Sequence, residues 1–168
     1  MANVFKPKRS SVASSVPTTG QLADGELAVN TTDKKIFVRD GASVVEVANA
    51  LTPRSVGISI DGGGTVITTG TKGYVEVPYA GTITEWKIIA TPSGSVTFDI
   101  WKSNAAIPTN SNTITASAKP TLTTAQRATS TTLTGWTTSV SVNDVFGFEV
   151  ESATTVTKAV LIVVIQQT

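Results

Sequence analysis

Turn signals interrupt this chain at short intervals. Asp40-Gly41, Asp61-Gly62-Gly63-Gly64, Tyr79-Ala80-Gly81-Thr82, Thr91-Pro92-Ser93-Gly94 and Val142-Asn143-Asp144 are spread along it, and such residues accept tight or left-handed backbone. The segments between them are short and alternate apolar with polar side chains, the period of a half-buried strand. Thr, Val and Ser are abundant, and β-branched side chains suit a pleated surface. Long helices have no room, and the expected class is all-β.

Other properties narrow the function. At 168 residues the chain fits one ordinary domain or two small ones. Apolar residues make up 40%, enough for a core, and the net charge is +1. A charge so close to zero creates no long-range attraction to nucleic acid or to an anionic membrane. Cysteine is absent, which removes disulfides and thiolate metal sites. No apolar run approaches the roughly 20 residues of a spanning helix. The first residues, MANVFKPKRSSVASSVP, lack the apolar stretch of a signal peptide. Histidine is also absent, so the commonest general base is missing and triads that need it are impossible. The 12 acidic residues are scattered. Asp99, Glu149 and Glu151 alternate with apolar neighbours and are expected on outer faces, not as a catalytic pair. No segment has the spacing of a calcium loop. Gly62 to Gly64 precede a strand-like stretch rather than a helix, so they read as a turn and not as a phosphate loop. The expectation is a non-enzyme without cofactor or metal.

The chain divides into four parts. Residues 1–19, with Lys6, Lys8 and Arg9 among Ser, Val and Pro, read as an arm, either solvated or ordered on a partner. Residues 20–48 read as a three-stranded meander. Leu27 and Val29 share one face of its first strand, and Ile36 and Val38 share one face of the second; Glu26, Ala28, Asn30, Lys35, Phe37 and Arg39 point the other way. Asp33 sits in the first turn and Asp40-Gly41 in the second. So short a meander cannot stand alone, and its apolar face needs a cover. Residues 49–56, around Pro53, read as a linker. Residues 57–168 carry seven or eight strand candidates (VGISI, GYVEVPY, TITEWKIIA, SVTFDIWKS, STTLTGW, DVFGFEVES and TVTKAVLIVVIQ) at the spacing of a β-sandwich or jelly roll. Val96, Phe98 and Ile100 should point inward, as should Phe146, Phe148 and Val150. The run 159–165 is apolar on both faces, which suits a central strand covered on both sides or marks an aggregation hazard.

The three tryptophans, Trp86, Trp101 and Trp136, read first as core or interface residues. Trp101, flanked on its face by Asp99, is the candidate for an exposed ligand platform. The loop 103–113 is either a recognition loop or a passive connection.

The segment KRSSVASSVPTTGQLADGELAVNTTDKKIFVRDG resembles the short, tropism-determinant-like N-terminal module of tailed-bacteriophage fibre and receptor-binding proteins. The matching positions are Lys8, Arg9, Pro17, Gly25, Glu26, Leu27, Ala28, Asn30, Asp33, Lys35, Phe37 and Gly41. Phe37 stands where that module often has Tyr. The segments SIDGGGTVITTGTKGYVEVPYAGTITEW, DIWK, ITASAKPTLT and TLTGWT resemble a C-terminal domain of virion fibre and decoration proteins. The first resemblance implies a trimeric β-prism that docks on the virion; the second implies a trimeric β-sandwich tip. Together they imply a homotrimeric structural virion protein, assembled in the host cytoplasm and bound to other capsid or tail proteins. A capsid decoration or head-fibre role is one form of this, and a short tail fibre or receptor-binding tip that recognises a host surface polysaccharide is the other. No nucleic-acid partner or membrane insertion is expected. The residues expected to dock or trimerise are Lys8, Arg9, Glu26, Leu27, Val29, Asn30, Ile36, Phe37 and Val38. A free-standing carbohydrate-binding module fits the sandwich but not the N-terminal resemblance.

Overall fold

A computed structural model describes residues 6–49 and 52–167. The chain forms two compact units, Met1–Thr52 and Pro53–Thr168. It is all-β; among the described residues the sole helical element is a 3-10 turn at Asn110–Asn112.

In the first unit, β1 (Lys8–Ser10), β2 (Leu27–Asn30), β3 (Lys35–Asp40) and β4 (Ser43–Asn49) form one sheet in that order. β1 runs parallel to β2, and the other pairings are antiparallel. The β2–β3 turn is held by Asn30 Oδ1, which accepts the backbone N–H groups of Thr32 and Asp33 at 3.0 Å each. In the β3–β4 turn Asp40 pairs with Ser43, which leaves a two-residue loop. Gly41 opens that loop with φ 56°, where a side chain would be strained. Two boundaries are corrected. The described part of the 1–19 arm, residues 6–19, is bound to the sheet, and Lys8 to Ser10 supply its first strand. The 49–56 linker contracts to the residues between Asn49 and Pro53, where residues 50 and 51 lie outside the described set.

The second unit contains β5 (Pro53–Asp61), β6 (Gly70–Val77), β7 (Gly81–Ser103), β8 (Thr121–Ser130), β9 (Ser139–Val140), β10 (Asp144–Thr154) and β11 (Lys158–Gln167). The order is β5-β11-β7-β10-β6, with β8 and β9 also paired to β7. β7 serves two layers. Up to Thr91 it pairs with β11, and from Ser95 it pairs with β10. β8 borders both parts, with register shifts on either side of Gly94. The sheet therefore curls into a sandwich. A Cβ on Gly94 would collide with Thr155 and the Thr154 carbonyl, so the corner admits no side chain.

Val96, Phe98, Ile100, Phe146, Phe148 and Val150 are all buried, as their alternation requires. Ala159, Leu161, Val163 and Ile165 join them from β11. Val160, Ile162 and Val164 face the other way and are half-buried, so within the described chain one face of this central strand is fully covered and the other only partly. Two strand expectations change. TPSG is not a break, because β7 continues through it. STTLTGW is mostly loop. The strand there is β8, which lies earlier in the chain.

Candidate assembly surface

The sheet of the first unit has one side covered by its own chain and one side open. On the covered side Phe37, Ala28 and Leu22 are buried. Asn30 is 2% exposed among them, and its amide is fully used. Nδ2 donates to the Val12 carbonyl at 2.9 Å, the Ser15 carbonyl at 3.0 Å and Asp33 Oδ2 at 2.9 Å. Asp33 Oδ2 also accepts the Ser14 N–H at 2.7 Å. Arg39 Nη1 donates to the carbonyls of Thr19 and Leu22 at 2.8 and 2.7 Å. Glu26 Oε2 accepts the Ala23 N–H at 2.7 Å and Lys8 Nζ at 3.0 Å. These two bonds, the backbone one first, hold the Glu26 carboxyl below its ordinary pKa. Asp24 Oδ1 accepts the Gly41 N–H at 2.7 Å. Segment 10–23 has little regular structure, and these side chains satisfy backbone groups that a sheet would otherwise pair.

This geometry sorts the residues expected to dock. Lys8, Glu26, Asn30 and Phe37 are engaged inside the unit, where they hold the 10–23 segment on the sheet. Leu27, Val29, Ile36 and Val38 point to the open side, as their alternation predicts. Cross-strand pairs Leu27–Val38, Val38–Val45 and Val29–Ile36 arrange them in rows. Leu27 and Ile36 are each 36% exposed, Val45 is 42% and Val47 is 53% exposed. Val45 and Val47, on the third strand of the meander, are not among the residues expected to dock. A depression of about 430 Å³ lies there, lined by Val38, Val45, Val47 and Asp40 among others. Arg9 pairs with Val29 across β1 and β2, which places it on the same open side.

In the second unit the expected ligand platform is overturned. Trp101 is 5% exposed. It does lie on the outer face, opposite the core, as its alternation predicts. That face is itself covered: Gly147 of β10 leaves room there for the Trp101 ring, Tyr74 and Pro108 of the following loop. Trp101 Nε1 donates to Asp99 Oδ2 at 3.1 Å. Asp99 is also buried, against expectation. Its Oδ1 accepts the hydroxyls of Thr113 and Thr115 at 2.6 Å each and the Ile100 N–H at 2.8 Å. Lys119 Nζ lies 3.4 Å from Oδ2 and also bonds Glu151. Burial opposes ionisation of Asp99, but the bonds from Thr113, Thr115 and Trp101 and the Lys119 charge outweigh it, so its pKa falls below the ordinary value. The acidic residues are also less scattered than their spacing suggests. Asp99 pairs directly with Glu149 across β7 and β10, and carboxylate oxygens of Asp99, Glu149 and Glu151 lie within 4.8 Å of one another. With Lys119 among them, the group pins residues 113–119 to the sheet. Trp86 and Trp136 are buried, and Trp136 Nε1 donates to the Ala118 carbonyl at 2.8 Å.

No family model matches the chain, and no curated protein matches it. Among solved structures, a chain of infectious bursal disease virus, Gx strain, aligns over 77% of this chain and 41% of its own length, at 12% identity and a TM-score of 0.18. This chain therefore spans less than half of that neighbour, and a likeness so low carries no argument about function.

Proposed function

We propose that this chain is a structural protein of a tailed-phage virion that works by binding and assembly, as a homotrimeric capsid decoration or head-fibre protein. The observation that carries the assembly part is the open side of the first sheet. Leu27, Ile36, Val45 and Val47 form a contiguous apolar face on a unit whose own core is little more than Leu22, Ala28 and Phe37. Burying that face against copies of the chain returns about 25 cal/mol per Å², and an exposed patch of this kind marks an interaction site. The virion part is supported by the motif that ends at Gly41, whose polar members Glu26, Asn30 and Asp33 all hold the covered side. With Trp101 buried, the receptor-tip reading is left without its named ligand platform.

Size-exclusion chromatography with light scattering tests assembly: the expected mass is three times 17.4 kDa, and a monodisperse monomer at micromolar concentration overturns the reading. Immunogold labelling of intact particles tests the location. Label on the head is the expected result, and label confined to the tail tip restores the receptor reading.

A further inference from the structure

Two charged side chains of the strands, Arg9 and Asp40, lie on the open side of the first sheet among its apolar side chains; Asp24, which also lines the depression there, is occupied by the Gly41 N–H. Arg9 projects from β1 beside Val29. Asp40 ends β3 on the side of Ile36 and Val38, opposite Ser43. Both are exposed, and among the described residues neither makes a hydrogen bond or ion pair. The other charged side chains of these strands point to the Phe37 side and are engaged there. Lys8 pairs with Glu26 and Lys35 with Glu46, at 3.0 and 2.9 Å; Arg39 is taken by backbone carbonyls.

Arg9 and Asp40 cannot satisfy each other within one chain. β1 and β3 are separated by β2, and Asp40 lies four residues beyond Ile36, the residue in line with Arg9. With strands about 4.8 Å apart and a rise of about 3.4 Å per residue, their Cα atoms are about 17 Å apart. They stand at diagonal corners of one apolar face, with opposite signs.

We infer that the occupant of this face is another copy of the same chain, and that Arg9 of one copy pairs with Asp40 of the next to set the register of assembly. The argument is self-complementarity. A partner of arbitrary chemistry gives no reason for one positive and one negative corner on an otherwise apolar surface. A repeated contact in which corner i meets corner j does, and such a contact closes into a ring when its rotation permits. The apolar rows between the corners supply area but little direction. Sliding by a strand or a residue leaves Val and Ile against Val and Ile, so register needs a polar determinant. A misaligned copy would also bury two unpaired charges, which costs more than any surface pair returns.

The inference rests on the assembly reading, and its test separates the two. The full chain is made as wild type, Arg9→Glu, Asp40→Arg and the double swap Arg9→Glu/Asp40→Arg, with circular dichroism as the folding control. Light scattering over a dilution series gives the concentration at which each oligomer dissociates. Each single swap is expected to raise that concentration about tenfold or more, because it sets like charges together. The double swap, with the same two foreign side chains, is expected to return it to within about threefold of wild type, and the rescue should weaken in 1 M salt. If the single swaps leave assembly unchanged, or the double swap is as weak as the two singles combined, the Arg9–Asp40 contact is wrong while self-assembly stands. A monomeric wild type overturns both.

Discussion

Phe148 in the second unit and Phe37 in the first are both buried, but against different kinds of cover. Phe148 lies between two layers of sheet, among Phe98, Phe146 and Ile100. Phe37 lies under a segment with little regular structure, which contributes one buried apolar side chain, Leu22, and is otherwise held down by Asn30, Asp33, Arg39 and Glu26. One unit closes its core between strands on both sides. The other uses polar side chains to close one side of a single sheet and leaves the second side apolar and open. Small domains are short of buried area, and the two units meet that shortage by folding the sheet on itself or by leaving a face for a partner.

The largest test of this contrast is Phe148→Ala. Removing a fully buried ring from a packed core costs about 3–5 kcal/mol. All three tryptophans lie in the second unit, so denaturant unfolding followed by Trp fluorescence reads that unit alone. An unchanged midpoint would mean that the sandwich core is not where Phe148 sits.

Asn30→Ala tests the polar cover. The carbonyls of Val12 and Ser15 and the amides of Thr32 and Asp33 lose their partner, and with water able to replace some of these bonds the expected loss is about 2–3 kcal/mol. Hydrogen exchange should rise across residues 10–23 and leave β7 and β10 unaffected. Equal protection in both proteins would refute the clasp.

How far these arrangements were legible in the sequence depended on which face a residue takes and what lies over it. Alternation placed Val96, Phe98 and Ile100 on one face of β7, and Asp99 and Trp101 on the other, correctly. It could not tell that residues 104–119 fold back over that second face, because such cover comes from a loop without periodicity. The same limit applied at the N-terminus. Glu26, Asn30 and Asp33 stood out as a motif, yet their partners are mostly backbone groups of residues 12–23, which carry no side-chain signal. β8 was missed because Leu122 is its sole buried side chain, so no apolar period marks it. Pro53 read as a linker residue because proline lacks a donor, but the first position of an edge strand tolerates that.

Asp99→Asn probes the covered outer face of the second unit. The folded Asp99 has a lowered pKa, against an unfolded value near 3.9. Its contribution is therefore complete above that value and lost as pH falls through the folded pKa. Charge-assisted bonds of this kind are worth on the order of 2 kcal/mol. At pH 7 the variant should be less stable by about that amount, and the gap should close in acid, below about pH 4. A gap that persists unchanged to pH 2 would show that the Asp99 charge is not what stabilises the wild type.

The smallest expected effect comes from the largest deletion. If each unit owns its core, removing residues 1–52 takes nothing from the sandwich: β5 begins at Pro53, and its described partner is β11. The Trp-monitored unfolding midpoint of 53–168 should match that of the full chain, provided that both are measured at concentrations where oligomerisation does not add to stability. Incorporation into particles, read by blotting purified virions after complementation of a null phage, should be lost, because the open face and the Arg9 and Asp40 corners go with the deleted residues. The two readouts divide the possibilities. A lowered midpoint would mean that the first unit supports the sandwich, and the contrast between a self-sufficient core and a face awaiting partners would fail. An unchanged midpoint with normal incorporation would keep the contrast and move docking to the second unit, where the half-buried Val160, Ile162 and Val164 of β11 would be the next surface to substitute.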